Sequence, residues 1–395
     1  MSGPTLHVAQ IGFFFDPQRR EPARLLHEWP SLVDVAEAAC QADVRVTVVQ
    51  TCAHTQTLER TGVRYHFFPF GRAATTVGTA DSVGELLRKL AADVLHVHGL
   101  GFAHEVLSLA ALAPGIPIVL QDHASRPPRL WQRRLWRRAF GAASGLSFCS
   151  LEQAQPFARA GLIPAKTRVY EIPECPSRFT TGEQAAARRA TGLEGDPCLL
   201  WVGHLDQNKD PLTVLDGVSE AVRQLPGLQL WCCFATAPLL PMVQRRISSD
   251  PRLCHRVHLL GRVQHERIEQ LMRAADLFVL GSHREGSGYS LIEALACGLS
   301  PAVTDIPSFR SLTGAGAVGA LWPCGAADKC AAALVSLAAQ PRSAARAAAR
   351  AQFDKELSFE AVGRKLASVY QDLLQHQAGQ YPRGSGCSEL HIDHA

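Results

Sequence analysis

The sequence predicts an α/β protein made of two doubly wound domains with parallel sheets. Three observations predict it. At 395 residues the chain is too long for one ordinary core. Short apolar runs alternate with amphipathic stretches, as buried parallel strands alternate with crossover helices. That alternation stops and restarts once near the middle of the chain. With 47% hydrophobic and 19% charged residues the composition is globular, and the formal charge of +4 is mild. Such a charge permits an anionic ligand or membrane contact, but a broad nucleic-acid surface shows stronger basic bias, so no nucleic-acid partner is expected.

In the first half, "LHVAQIGFFF" (6–15), "VRVTVVQ" (44–50), "DVLHVHG" (93–99), "PIVLQDH" (117–123) and "GLSFCS" (145–150) read as strands, with helices over 31–42 and 82–91. The pattern restarts at "PCLLWVGHL" (197–205). "LQLWCCF" (228–234), "VHLLGRV" (257–263), "LFVLGS" (277–282) and "SPAVTD" (300–305) follow. The join falls near 171–192, which opens rich in Pro, Thr and Gly. The expected units are an N-terminal domain (1–180), a C-terminal domain (190–355) and a closing helix (356–378). Phe359, Val362, Leu366, Val369 and Leu373 form one apolar stripe of that helix. The Gly-rich, polar tail from 379 to 395 is expected to be disordered.

Twelve cysteines are scattered without a C-x-x-C pair, and Cys232 and Cys233 sit in an apolar run as buried thiols would. No apolar run reaches the roughly 20 residues that span a bilayer, and the N-terminus lacks a secretory signal pattern. A reducing, cytoplasmic location is the expectation, with attachment to the inner membrane face as its variant.

The stretch "HREGSGYSLIEALACG" (283–298) sets Glu285 and Glu293 on either side of a glycine-rich turn that runs into an apolar helix. Gly286 and Gly288 let backbone approach a ligand, and Ser287 or Ser290 can cap the helix. Helix-start amides attract phosphate, while Glu293 can accept from sugar hydroxyls. A ligand carrying both phosphate and polyol parts, such as a nucleotide sugar, fits.

The E-x7-E from Glu285 to Glu293 resembles the donor-site signature of retaining glycosyltransferases of family 4. "WVGHLDQNKDPLTVL" (201–215) resembles that family's phosphate segment. "DVLHVHG" and "LQDH" resemble its N-terminal strand ends, and the closing helix its final crossing helix. The resemblance spans roughly residues 5 to 375 and implies a GT-B fold, two Rossmann-like domains facing a cleft, with no obligatory metal and no cofactor beyond the nucleotide-sugar substrate. It implies that Glu285 contacts the donor sugar, that Glu293 binds the ribose diol, and that the amides of Ser287, Gly288, Tyr289 and Ser290, beside Gly286, hold the diphosphate. Lys209 then neutralises the leaving phosphate, and His123 touches the sugar near its reacting carbon. "VHLLGRV" places Arg262 and Val263 by the base. The chain departs from the pattern in two places. His204 stands where the family has arginine, and Gly12 stands without the usual Gly-Gly pair. The acceptor side is therefore read from Gly12, His98, Arg19 and Arg20, with His96 facing away from His98. A lone histidine or lysine at such positions is most often structural or solvated, and the surrounding motif is what favours the functional reading here.

"RPPRLWQRRLWRRAF" (126–140) mixes arginines with Trp131 and Trp136, which fits a helix on an anionic membrane surface and equally a solvated helix face. No G-x-G-x-x-G follows the first strand. The chain also lacks a G-x-x-x-x-G-K-[ST] loop, a D-x-D pair and zinc spacing, which disfavours dehydrogenase, P-loop and metal-dependent chemistry. The expected activity is retaining hexosyl transfer from a nucleotide diphosphate sugar to an unidentified acceptor. A sugar-nucleotide epimerase and a silent nucleotide-sugar binder stay open.

Overall fold

The structure, a computed structural model, describes residues 6–70 and 78–380. Its first sheet holds β1 (His7–Gly12), β2 (Arg45–Thr51), β3 (Gln56–Arg60), β4 (Val63–Phe68), β5 (Val94–His98), β6 (Ile118–Gln121), β7 (Gly145–Phe148) and β8 (Arg168–Glu171). Their order is β3-β4-β2-β1-β5-β6-β7-β8, parallel except for the hairpin of β3 with β4. The second sheet is parallel throughout, with β9 (Cys198–Val202), β10 (Gln229–Cys233), β11 (Val257–Gly261), β12 (Leu277–Leu280), β13 (Ser300–Thr304) and β14 (Ala320–Trp322). Its order, β11-β10-β9-β12-β13-β14, is the doubly wound one, reversing between β9 and β12. With the antiparallel edge strand set aside, the first sheet reverses in the same way between β1 and β5.

Most strands announced by apolar runs are buried on both faces; β11, at the sheet edge, is the exception, with only Val257 buried. β3 and β8 are largely exposed, β4 alternates, and β14 has three residues, so none of the four shows a continuous apolar run. Cys232 and Cys233 are buried, and burial pushes both thiols up, Cys233 to about 12. The described cysteines are free thiols.

The last helix, Phe359–Gln380, packs on the helix Pro30–Gln41 of the N-terminal half. It buries Val362, Leu366, Val369, Tyr370 and Leu373, each contributing roughly 1.5–3 kcal/mol of apolar burial. Gly363 permits the close approach, because a Cβ there would strike the Ala38 carbonyl. The helix takes in 379 and 380; the rest of the tail expected to be disordered lies outside the described residues. The chain thus crosses between the two halves twice, near Arg178 and near Ser358. Both crossings line one cleft, and the Arg178 guanidinium stacks over Phe359 at 4.7 Å. Arg178 also bonds Asp34 (2.7 Å) and Glu37 (2.6 Å) of the helix Pro30–Gln41. Among the described residues no helix is long and apolar enough to cross a membrane.

Candidate active site

In open sheets of this order, ligands bind beyond the carboxyl ends of the strands, where the order reverses. Gly12 ends β1 directly opposite His98 at the end of β5, and His123 stands two residues beyond β6. From the other half, Lys209 lies in the loop after β9 and Glu285 in the loop after β12. The two edges face each other across a cavity of about 710 Å³. Gly12, Arg20, His98 and His123 line it from one side, and Glu285, Gly286, Ser287, Gly288 and Tyr289 from the other.

The C-terminal wall is fixed by backbone. Asn208 donates to the Arg284 carbonyl (2.9 Å), and the His283 amide donates to the Asn208 carbonyl (2.8 Å). Gly281 leaves room for the carbonyls of Lys209 and Asp210. These bonds press the two loops together, so the Lys209 ammonium and the Glu285 carboxylate form a close ion pair. Both side chains are mostly shielded from solvent, which strengthens their attraction for each other. Gly288, at φ 95°, begins the helix Tyr289–Ala296, and no side chain caps it. Neither serine fills the capping role expected of it. Ser287 is buried, and its Oγ accepts instead from the Glu174 amide (2.8 Å). The helix-start amides therefore have no side-chain acceptor, the condition for anion binding.

The N-terminal wall carries a row of histidines. His98 Nδ1 lies 3.3 Å from His123 Nε2, and His98 Nε2 lies 3.4 Å from Gln10 Oε1. His96 does not face away from His98: their rings stack at 4.7 Å, because side chains two apart on a strand share a face. His96 reaches Tyr370 of the closing helix at 2.7 Å. Burial, with the neighbouring imidazoles, pushes His96 down to about 3 and His98 well below the ordinary range, so both rings are neutral.

Arg20 lines the cavity, but its guanidinium is engaged by Asp16 (2.9 Å) and Glu28 (3.1 Å), leaving it no free fork for an acceptor. Arg20 in turn holds the Asp16 carboxyl down at about 2. Arg19 is exposed and outside the lining, and its carbonyl faces His54 Nε2 at 3.1 Å. Both departures arise because Asp16 folds the loop after β1 back on itself.

Glu293 opens on a neighbouring cavity of about 290 Å³, with Tyr289 lining both. His265 Nε2 holds the Glu293 carboxylate at 2.5 Å, and that bond raises the imidazole above its ordinary value. His204 is exposed, accepts from the Thr236 amide at 3.3 Å and lines neither cavity. Arg262 is exposed and Val263 packs half-buried on the core; both precede the helix His265–Ala274, and neither lines either cavity.

Two site residues carried no sequence signal of their own. His265 looks like any polar residue at a helix start. Glu174 sits in the proline-rich join, yet it is buried in the cavity wall 3.8 Å from His123. One of its oxygens lacks a hydrogen-bond partner and abuts Gly286, where a Cβ would collide with it. Gln153 Nε2 adds bonds to the carbonyls of Glu285 and Gly286 (2.8 Å each), tying the donor turn to the other half. Trp136 does not stand out at the surface as Trp131 does: it is half-buried, and its ring stacks on Phe157 (6.4 Å) against the core.

Two family models match the chain: Glycosyltransferase Family 4 over residues 31–171, and Glycosyl transferases group 1 over residues 183–353. A GDP-mannose:cellobiosyl-diphosphopolyprenol alpha-mannosyltransferase of Xanthomonas campestris is 28% identical over 229 residues, covering 56% of this chain and 58% of that protein. The chain spans less than two thirds of the first curated relatives it matches. Among solved structures, sucrose-phosphate synthase of Thermosynechococcus elongatus superposes with a TM-score of 0.69 at 18% identity, covering 94% of this chain and 99% of that one. HepE of Anabaena, in complex with UDP, gives 0.68 at 16% identity over 93% and 100%. These likenesses show the GT-B fold.

Proposed function

Because the chain belongs to the family 4, group 1 glycosyltransferases, we propose that it moves a hexosyl group from a nucleotide diphosphate sugar to a hydroxyl-bearing acceptor, with retention at the anomeric carbon. The observation that carries this reading is the 710 Å³ cavity, which sets Glu285 and the uncapped helix start opposite His98 and His123; Lys209 does not line it and reaches it through its ion pair with Glu285. On this reading the diphosphate lies on the amides of Ser287 to Ser290, and Glu293 exchanges His265 for the ribose diol. Glu285 releases Lys209 to take sugar hydroxyls. Lys209 then meets the negative charge that grows on the leaving phosphate.

His123 stands near the reacting carbon, next to Glu174. On this reading the acceptor displaces the phosphate from the face it leaves, with no covalent sugar–enzyme intermediate. The departing phosphate oxygen takes the acceptor's proton. The protein's contribution is orientation, charge placement and exclusion of water. Lys209 supplies the positive charge that a metal holds elsewhere, so turnover is expected to survive a chelator.

HepE carries UDP, and the Xanthomonas relative is named for GDP-mannose, so both bases are the first donors to test. Thermal stabilisation by one nucleotide sugar, with release of its nucleotide on adding a sugar acceptor, supports the reading. Stabilisation without turnover on any acceptor favours the silent-binder reading, which the outward-turned His204 keeps in play.

A further inference from the structure

Between Glu105 and Glu152 the chain carries one acid, Asp122. Glu105 and Asp122 are both buried. The same stretch holds Arg126, Arg129, Arg133, Arg134, Arg137 and Arg138, and all of these except Arg133 are exposed. Leu130 and Trp131, 75% and 73% exposed, are the most exposed large apolar side chains among the described residues. The helix Arg133–Ala142 buries Ala139 and Phe140 and packs on the helix Ala103–Leu112, whose exposed residues are His104, Ser108, Ala111 and Leu112. No exposed carboxylate balances the arginines on either helix.

A merely solvated face interleaves both signs of charge and does not present a leucine and a tryptophan side by side. Guanidinium groups pair with phosphates, and an indole beside a leucine suits the boundary between headgroups and acyl chains. The patch also begins one residue beyond Ser125, which lines the 710 Å³ cavity.

We propose that the segment from Arg126 to Arg138 is a docking face for an anionic lipid bilayer, with Leu130 and Trp131 entering the headgroup layer and the exposed arginines pairing with lipid phosphates. Docking there sets the cavity mouth at the membrane. Resting on the transferase reading, it follows that the acceptor is borne on a lipid.

The test is flotation of the full chain with vesicles of phosphatidylcholine, alone or containing phosphatidylglycerol, at low and high salt. Binding is expected to the anionic vesicles and to weaken with salt. Replacing Arg134, Arg137 and Arg138 together by Gln is expected to lower the partition coefficient roughly a hundredfold. Leu130→Ser with Trp131→Ser lowers it as well, and retained nucleotide-induced thermal shift shows that the variants fold. Absence of flotation, equal flotation on neutral vesicles, or unchanged binding of both variants overturns the proposal. So does binding to a nucleic-acid duplex in place of vesicles. A chain that floats through this face but transfers no sugar leaves the docking face standing and breaks the transferase reading instead.

Discussion

The two walls of the cavity are built on opposite principles. The wall from the second sheet concentrates charge: an ammonium against a carboxylate, and helix-start amides without a capping side chain. The wall from the first sheet suppresses charge: His96 and His98 are held neutral, and the cation of Arg20 is engaged by Asp16 and Glu28. On the proposed reading one wall meets the diphosphate, which every nucleotide sugar shares, and the other meets the acceptor. Charge recognition needs a few residue types at fixed spacing, whereas shape recognition can use almost any.

The sharpest way to break this contrast is at Lys209. Lys209→Ala should lower kcat by roughly 10²–10³ while melting near the parent temperature; undiminished turnover would remove the charged wall from the chemistry. Next comes Glu293→Ala, expected to weaken nucleotide binding about 10–100-fold by calorimetry, in keeping with the loss of hydrogen bonds to a charged group. The same change frees His265, whose imidazole should then titrate lower by NMR.

The neutral wall is tested by acid. His96 is about 3 in the folded chain and ordinary when unfolded, so below pH ~6.5 the unfolded state binds more protons and stability falls with falling pH. Between pH ~6.5 and 5 the loss from His96 alone is about 2 kcal/mol. His96→Gln should flatten the melting temperature over that window, and an equally steep profile would refute the assignment.

The smallest effect is expected at Arg20. Arg20→Ala should cost about 1 kcal/mol in stability and change kcat/KM only a few-fold, because its cation is already engaged. A loss of hundredfold would mean that Arg20 leaves Asp16 to grip the acceptor. In the parent, the Asp16 contribution is present above the ordinary carboxylate range and is lost as pH falls through about 2.

What the sequence disclosed follows the same division. The buried parallel strands and the Glu285-to-Glu293 turn were legible, because continuous apolar runs and a glycine-rich turn between acids are local signals. Arg20 was legible as a cation but not as one already paired, since Asp16 meets it only through the fold of its loop. His265 and Glu174 were illegible: each matters through a partner far along the chain, Glu293 for one, Gly286 and His123 for the other. His96 was legible and misjudged: two positions from His98 on one strand it shares that residue's face, as the stacked rings show.

The paired crossings near Arg178 and Ser358 also have a mechanical meaning. A body joined to another by two strands of chain lying side by side keeps fewer ways to swing than one hung from a single tether. Arg178, clamped to Asp34 and Glu37 and stacked on Phe359, pins both crossings at one spot. A rotation of the C-terminal half about that spot would carry Glu285 along an arc whose radius is the distance from the spot to the cavity.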